Sequence, residues 1–420
     1  MRRELTKYLR LPTLGRSEAG AVASRRPAVV GGILLILMLL TGLGWAVSSP
    51  VESSPDDNYH LGSIWCPRPA GESCQTSVVD GDPVVRVPIA VADESMRCYV
   101  LQSNKSAGCA LGYNDSHMVW SKRFDNGAYP IGYYHFHHLL VGKDVQTSVL
   151  VMRGVNVLIA VTLLGTIGFC APRQLRRPFI GAIVASWIPM GIYFIASNNP
   201  SSWSLSGLFA YSAATLMAPQ QKGYRRITLV TCAVIGAVMC LTSRYDAAFF
   251  LLVVGLALLF AVPWKRGGWI GLSALAGVAL LGFGTFMASS QVSKVAYFLR
   301  VFEASDPAKS ADKQPFFEKL LVGLETAPKY LGGFWGHTWT PGWHDVPLGA
   351  RAPYVLTIMA AGAFVAVGLR RGGWRKWTAL AIIVGSMVLL PALFYANGAM
   401  DTIELYQARY IFPLLAPTFF

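Results

Sequence analysis

Charge is scarce in this sequence. Only 14% of its 420 residues are Asp, Glu, Lys or Arg, and 53% are hydrophobic, whereas a soluble domain carries roughly 25% charged residues. That shortage points to an all-α polytopic membrane protein. Acidic residues are the rarer sign, 22 against 36 Lys and Arg, for a net charge of +14. The positive charge lies in short clusters between apolar runs, the pattern of loops held on the cytoplasmic face. A bundle sunk in lipid offers no continuous basic groove, so nucleic acid is not an expected partner.

Several signatures are missing. There is no GxxxxGK[ST], no HExxH and no GxSxG, so ATP-driven transport by this chain alone has no support. Charged residues inside the apolar runs are almost absent, which argues against a proton-coupled pump or a voltage sensor. No CxxC occurs among the seven cysteines, so zinc and thioredoxin-like chemistry lack a signal. Four of them, Cys66, Cys74, Cys98 and Cys109, share one polar loop. That clustering predicts two disulfides in an oxidising compartment, with connectivity open. Cys170, Cys232 and Cys240 lie in apolar segments and read as small hydrophobes.

What is present is an alternation. Residues 1–27 form a basic N-terminus, and the apolar run 28–48 has the length of a retained first span rather than of a cleaved signal. Residues 49–147 form a long polar loop, read as a small disulfide-stapled domain with a few short strands. Residues 148–288 carry runs two to seven. Residues 289–351 form a second long loop, in which 315–324 has helical apolar spacing suited to lying on the outer leaflet. Residues 352–420 carry runs eight to ten, and only about eleven residues of the last precede Phe420. The expectation is about ten spans, the last apparently truncated. Basic clusters precede run one and follow runs two, four, six and eight. All then fall on one side, which predicts a multi-pass cell-membrane protein with a cytoplasmic N-terminus and both long loops outside.

The chemistry-bearing stretch is Ser53–His60, SSPDDNYH. Asp56 and Asp57 sit a few residues past the first span, where a carboxylate can act as general base toward a lipid-borne substrate. Adjacent carboxylates repel, which tends to raise the pKa of one. The same residues also fit a capped turn. His60 joins them as a candidate for substrate contact. Arg244, in Ser243-Arg244-Tyr245-Asp246, and Arg409, near Gln407 and Tyr410, suit phosphate binding, or interface snorkelling and pairing with Asp246. Tyr245 and Gln407 are candidate substrate contacts beside them. Tyr133–His138 is dense in rings and imidazoles and reads as an interfacial aromatic belt before it reads as a metal site. Trp335, His337, Trp339, Trp343, His344 and Asp345 form a second such group, from which His337 and Trp339 are candidate substrate contacts. A divalent metal at the Asp56–Asp57 pair is an alternative without further support, and no cofactor is expected.

These motifs resemble a multi-pass membrane family of unknown function, frequent in actinobacteria and distantly similar to the GT-C class of membrane glycosyltransferases. The family opens its first outer loop with Pro-Asp-Glu-x-x-His, and Pro55, Asp56, Asp57 and His60 match it, with Asp in place of Glu. Trp187, Pro189, Asn199 and Pro200 resemble its Trp-x-Pro and Asn-Pro turn. Gln407, Arg409, Tyr410, Pro413 and Leu414 resemble its Gln-x-Arg-Tyr before Pro-Leu. The resemblance implies a GT-C-like bundle. It implies Asp56 or Asp57 as base, and Arg244 or Arg409 on the phosphate of a polyprenyl-phosphate sugar donor. The expected activity is transfer of that sugar to an envelope polysaccharide acceptor on the outer face. The alternatives are a transporter or flippase of lipid-linked saccharides, which needs no base, and a non-catalytic envelope assembly protein.

Overall fold

The structure is a computed structural model. It describes residues 18–92, 98–109, 117–262, 268–289, 315–338, 340–343, 346, 348–349, 351–364, 372–397, 403 and 406–420. Helices dominate it. Asn104-Lys105-Ser106 and Asn114-Asp115-Ser116 have the form of glycosylation sequons; Asn104 is described and exposed, and Asn114 lies outside the described residues. So do Trp339, His344 and Asp345.

Every apolar run contains a helix. Run one is α1, Glu18–Ser48, and run two is α5, Val145–Cys170. The two lie side by side, with Gly42 against Val157 and Gly165 against Leu35; a Cβ on either glycine would crowd that partner. Asp144 caps the start of α5 by accepting from the backbone N–H of Thr147 at 2.7 Å, one of the donors a helix start leaves open. Between these helices sits the polar domain. It holds α2 (Asp57–Trp65), α3 (Ala70–Ser73), three short strands and α4 (Gly132–His138). Strands β1 (Thr76–Val79), β2 (Asp82–Pro88) and β3 (Met118–Ser121) form an antiparallel sheet in that order. Val79 pairs Asp82, and Val85 pairs Ser121. Asp80 and Gly81 both have positive φ between β1 and β2, which matches the primed turn that strand twist favours. Disulfides join Cys66 to Cys74 and Cys98 to Cys109, and the other three cysteines are free and buried. The stapled loop domain is therefore present, and the pairing is between sequence neighbours.

Run three is not one straight span. It is α6 (Arg176–Ser186) and α7 (Pro189–Ile195), bent by 84°. Pro189 explains the break. It opens α7, and the residue before it, Ile188, is extended at φ −90°, ψ 167°, because the proline ring disfavours a helical predecessor. Run four is α8 (Ser201–Met217), buried nearly all round. It packs on α9 (Gly223–Ser243), where Gly207 and Gly236 face each other so closely that a Cβ on either would meet the other's carbonyl. Small residues allow such close backbone approach between membrane helices. α10 (Tyr245–Ala261) and α11 (Trp269–Met287) follow. The later helices are 316–325, 327–332, 352–363, 374–396 and 415–419.

Among the described residues five helices are long and apolar enough to cross a membrane: the Val29–Ser48 part of α1, α5, α9, Ile270–Met287 of α11, and 374–396. Counting the bent α6–α7 pair as one span makes six. α10 and 352–362 are apolar but shorter. Fewer helices thus meet the length and composition of a span than the ten runs imply. The shortfall has a physical source: run three is broken by Pro189, and α8 and α10 have 17 residues each. At about 1.5 Å per residue such helices fall short of a core of roughly 30 Å. The amphipathic helix 316–325 forms as expected. Phe317 and Leu321 are exposed, while Gly323 seats on Ala392 of the helix 374–396.

Candidate functional site

The turn after α1 brings Asp56 and Asp57 to one place and then separates them. Asp56 adopts the left-handed region at φ 63° and precedes α2, accepting the backbone N–H groups of Tyr59 and His60 on its carbonyl at 2.9 Å. Asp tolerates this conformation better than most residues. Its side chain turns away from the helix. Oδ2 accepts from Nη2 of Arg409 at 2.6 Å, and Oδ1 lies 3.6 Å from Nη2 of Arg123. The Asp56 side chain keeps 38% of its surface open, whereas that of Asp57 has none. Asp57 faces inward to Nη2 of Arg153 at 3.4 Å. Arg153 also donates to the carbonyls of Ser49 (2.6 Å) and Pro50 (2.8 Å), so it ties the end of α1 to the start of α2.

Electrostatics separate the two acids further. Burial alone would raise the Asp56 carboxyl, but Arg409, by charge and by hydrogen bond, and the charge of Arg123 outweigh it and hold it below the usual carboxylate range. For Asp57 burial wins over Arg153 and the Ser54 hydrogen bonds, and its pKa is raised. His60 is fully buried. Burial, partly offset by Asp56, pushes its pKa down to about 3, and the three nearby arginines 244, 409 and 123 push the same way. It is therefore neutral at pH 7. Its Nδ1 shares a hydrogen bond with the Tyr134 hydroxyl at 2.9 Å.

One more arginine completes the surroundings. Arg244 is extended at the junction of α9 and α10. It grips Asp246 with Nε and Nη2, at 2.8 and 2.7 Å, and reaches Ser201 with Nη1 at 3.3 Å. Its guanidinium stands 5.6 Å from the Tyr129 ring and 5.7 Å from the Tyr410 ring. The Arg409 guanidinium lies 5.1 Å from the same Tyr410 ring. The two cations share one aromatic neighbour, a favourable arrangement for guanidinium on tyrosine. The Pro55 carbonyl, beside Asp56, accepts from Arg409 Nη1 and from the Asn199 amide, both at 3.2 Å. Tyr193 donates to the Ser53 carbonyl at 2.6 Å, and the Trp343 indole to the Glu52 carbonyl at 2.9 Å. The loops that follow runs one, three, five, seven and nine therefore meet here. These are the loops that the basic clusters assign to a single side.

His337 is exposed, and its Nε2 shares a hydrogen bond with Thr357 at 2.9 Å. Tyr245 is half-buried at the start of α10, and Gln407 offers its carbonyl to the backbone of Tyr410. The Tyr133–His138 cluster is not a belt at the membrane interface: Tyr133, Tyr134 and His137 are buried within the protein. Its imidazoles diverge. His135 meets the Arg68 carbonyl, His138 the Ile64 carbonyl, and His137 the Tyr133 carbonyl and Asn156. Among the described residues no three His, Cys, Asp or Glu side chains group as metal ligands. A cavity of about 580 Å³ opens in the stapled domain among Arg68, Thr76, Phe124, Asp125 and Asn126. It reaches the site through Asp125, which accepts from the Tyr59 hydroxyl of α2 at 3.1 Å.

A family described as predicted membrane protein DUF2142 matches residues 39–418. The chain belongs to that family. No curated protein and no solved structure matches it. Within this DUF2142 protein, sequence reasoning missed Arg153 and Arg123. Arg153 left a signal: it stands inside the apolar run 148–171, and ionisable residues there are rarely idle. Arg123 left none, being one of many cations in a polar loop.

Proposed function

We propose that this protein is a membrane glycosyltransferase of GT-C type, with about ten spans and its N-terminus in the cytoplasm. It acts on the outer face, moving a sugar from a polyprenyl-phosphate donor to an envelope glycan. The observation that carries this reading is a partly open carboxylate, Asp56, paired with Arg409 and Arg123, with Arg244 against the same Tyr410 ring as Arg409, at the convergence of five loops. The acceptor hydroxyl attacks the anomeric carbon and gives its proton to Asp56. The bond from that carbon to the phosphate oxygen breaks, and its electron pair leaves on the polyprenyl phosphate. Arg409 and Arg244 stabilise the charge that grows there. A phosphate leaving group needs little acid catalysis, so a base and cationic clamps suffice. Asp57 is a positioning residue: Arg153 holds it shut inside the protein. Asp56 is then the base of this reading.

The test is transfer from radiolabelled polyprenyl-phosphate sugars in membranes carrying the protein. The expected result is loss of transfer with Asp56→Asn and retained transfer with Asp57→Asn wherever that variant folds. Equal transfer in both variants would remove the carboxylates from the chemistry. It would favour a flippase of lipid-linked saccharides, a reading that the 84° break between α6 and α7 also fits, since transporters use broken helices at their sites.

A further inference from the structure

Asp56 has two duties that conflict. As a base it needs an accessible lone pair, yet Arg409 holds Oδ2 at 2.6 Å and Arg123 stands by Oδ1. Held in this way, it is a weak base. We propose that Asp56 is the resident counter-ion of a phosphate site built by Arg409, Arg123 and Arg244, and that an arriving phosphate takes Arg409 from it. This rests on the reading above that the arginines meet a phosphate.

The charge count supports an exchange. Three guanidiniums face two carboxylates, Asp56 and Asp246. Asp246 is spent on a two-pronged pair with Arg244. Asp56 alone then serves both Arg409 and Arg123. His60 adds no charge at neutral pH, since its pKa lies at about 3. Counted over these ion pairs, one positive charge is left over, and a phosphate diester or monoester supplies a matching negative charge.

The donor count supports it too. A guanidinium has five N–H groups in a planar fork suited to phosphate. Arg409 is 5% exposed, and its Nε has no acceptor among the described residues; the Nε of Arg123 is likewise buried without one. Leaving buried donors open is costly, and a ligand oxygen would fill them. The carboxylate can yield its place because it is the open member of the pair. Its backbone also sits in a strained region, as residues at working sites often do. After the exchange Asp56 has lost its nearest cation and is a stronger base. Proton abstraction then becomes conditional on donor binding, and an empty site does not activate water.

The experiment is binding to the purified full chain in zwitterionic lipid nanodiscs, by calorimetry, with two probes: farnesyl phosphate and inorganic phosphate. Asp56→Asn removes the internal competitor. It is expected to bind at least one probe about tenfold tighter than wild type, the scale of one lost charge-assisted hydrogen bond. Arg409→Gln is expected to lose that binding. Tightening with both probes assigns the site to the phosphate group itself, and tightening with farnesyl phosphate alone assigns it to a lipid headgroup. Unchanged or weaker binding by Asp56→Asn, or no binding by any form, overturns the proposal. Asp56→Ser is the second variant, so that a folding fault in one does not decide the matter. Tighter binding without any sugar transfer would keep the exchange and remove the transferase.

Discussion

Asp57 lies fully buried against Arg153, and Asp56 lies half-open against Arg409. The adjacent pair was legible from the sequence, but which member faces out was not. That depends on a single left-handed residue turning two neighbours in opposite directions. Removing one partner of a buried ion pair leaves an uncompensated charge, at about 3–5 kcal/mol. Arg153→Met is therefore expected to unfold the protein at a clearly lower temperature in detergent, and pairing it with Asp57→Asn to recover most of the loss. Equal melting of the single and double variants would count against the pair. His60 gives a prediction in pH. Its folded pKa, about 3, is below the unfolded value, so the stability it contributes is complete above roughly pH 6.5. That stability falls as pH drops from there toward 3. His60→Gln is expected to flatten the decline in melting temperature across that window. A parallel decline in both proteins would show that other groups carry it.

Among the elements, the first and second spanning helices, the stapled loop domain and the amphipathic helix 316–325 were readable from run length, cysteine clustering and apolar spacing. The break in run three is carried by Pro189, which in the sequence stands out as part of a motif and not as a helix break. The buried placement of Tyr133 and His137 was not readable, because a ring-rich segment beside a span looks alike at an interface and in a core. Asn156 of α5 decides it, donating to the Tyr133 hydroxyl at 3.2 Å and bonding His137 at 3.0 Å. At α8 and α9 the backbones touch through Gly207 and Gly236. Gly207→Leu is expected to separate these helices and lower the melting temperature by several degrees, since overpacking costs about 1–3 kcal/mol. Gly277→Leu is the control, because a Cβ there meets nothing. Equal effects at both positions would contradict the close approach.

For the whole molecule, the five loops that meet around Asp56 are those that the alternation of basic clusters puts on one side. The charge pattern assigns these loops to one side, and their convergence comes from packing that no pattern shows. Single cysteines at Asn126 and at Arg173, in a chain whose free cysteines are replaced, are expected to label from opposite faces of intact cells. Labelling from the same face would undo the orientation. The central claim is that Asp56, and not Asp57, accepts the acceptor's proton. Sugar transfer from a radiolabelled polyprenyl-phosphate donor, compared among wild type, Asp56→Asn and Asp57→Asn in membranes, tests it directly. The account predicts transfer reduced by about 10² or more in Asp56→Asn, the scale of a lost general base, and retained in a folded Asp57→Asn. Transfer retained in Asp56→Asn and lost in Asp57→Asn would contradict it.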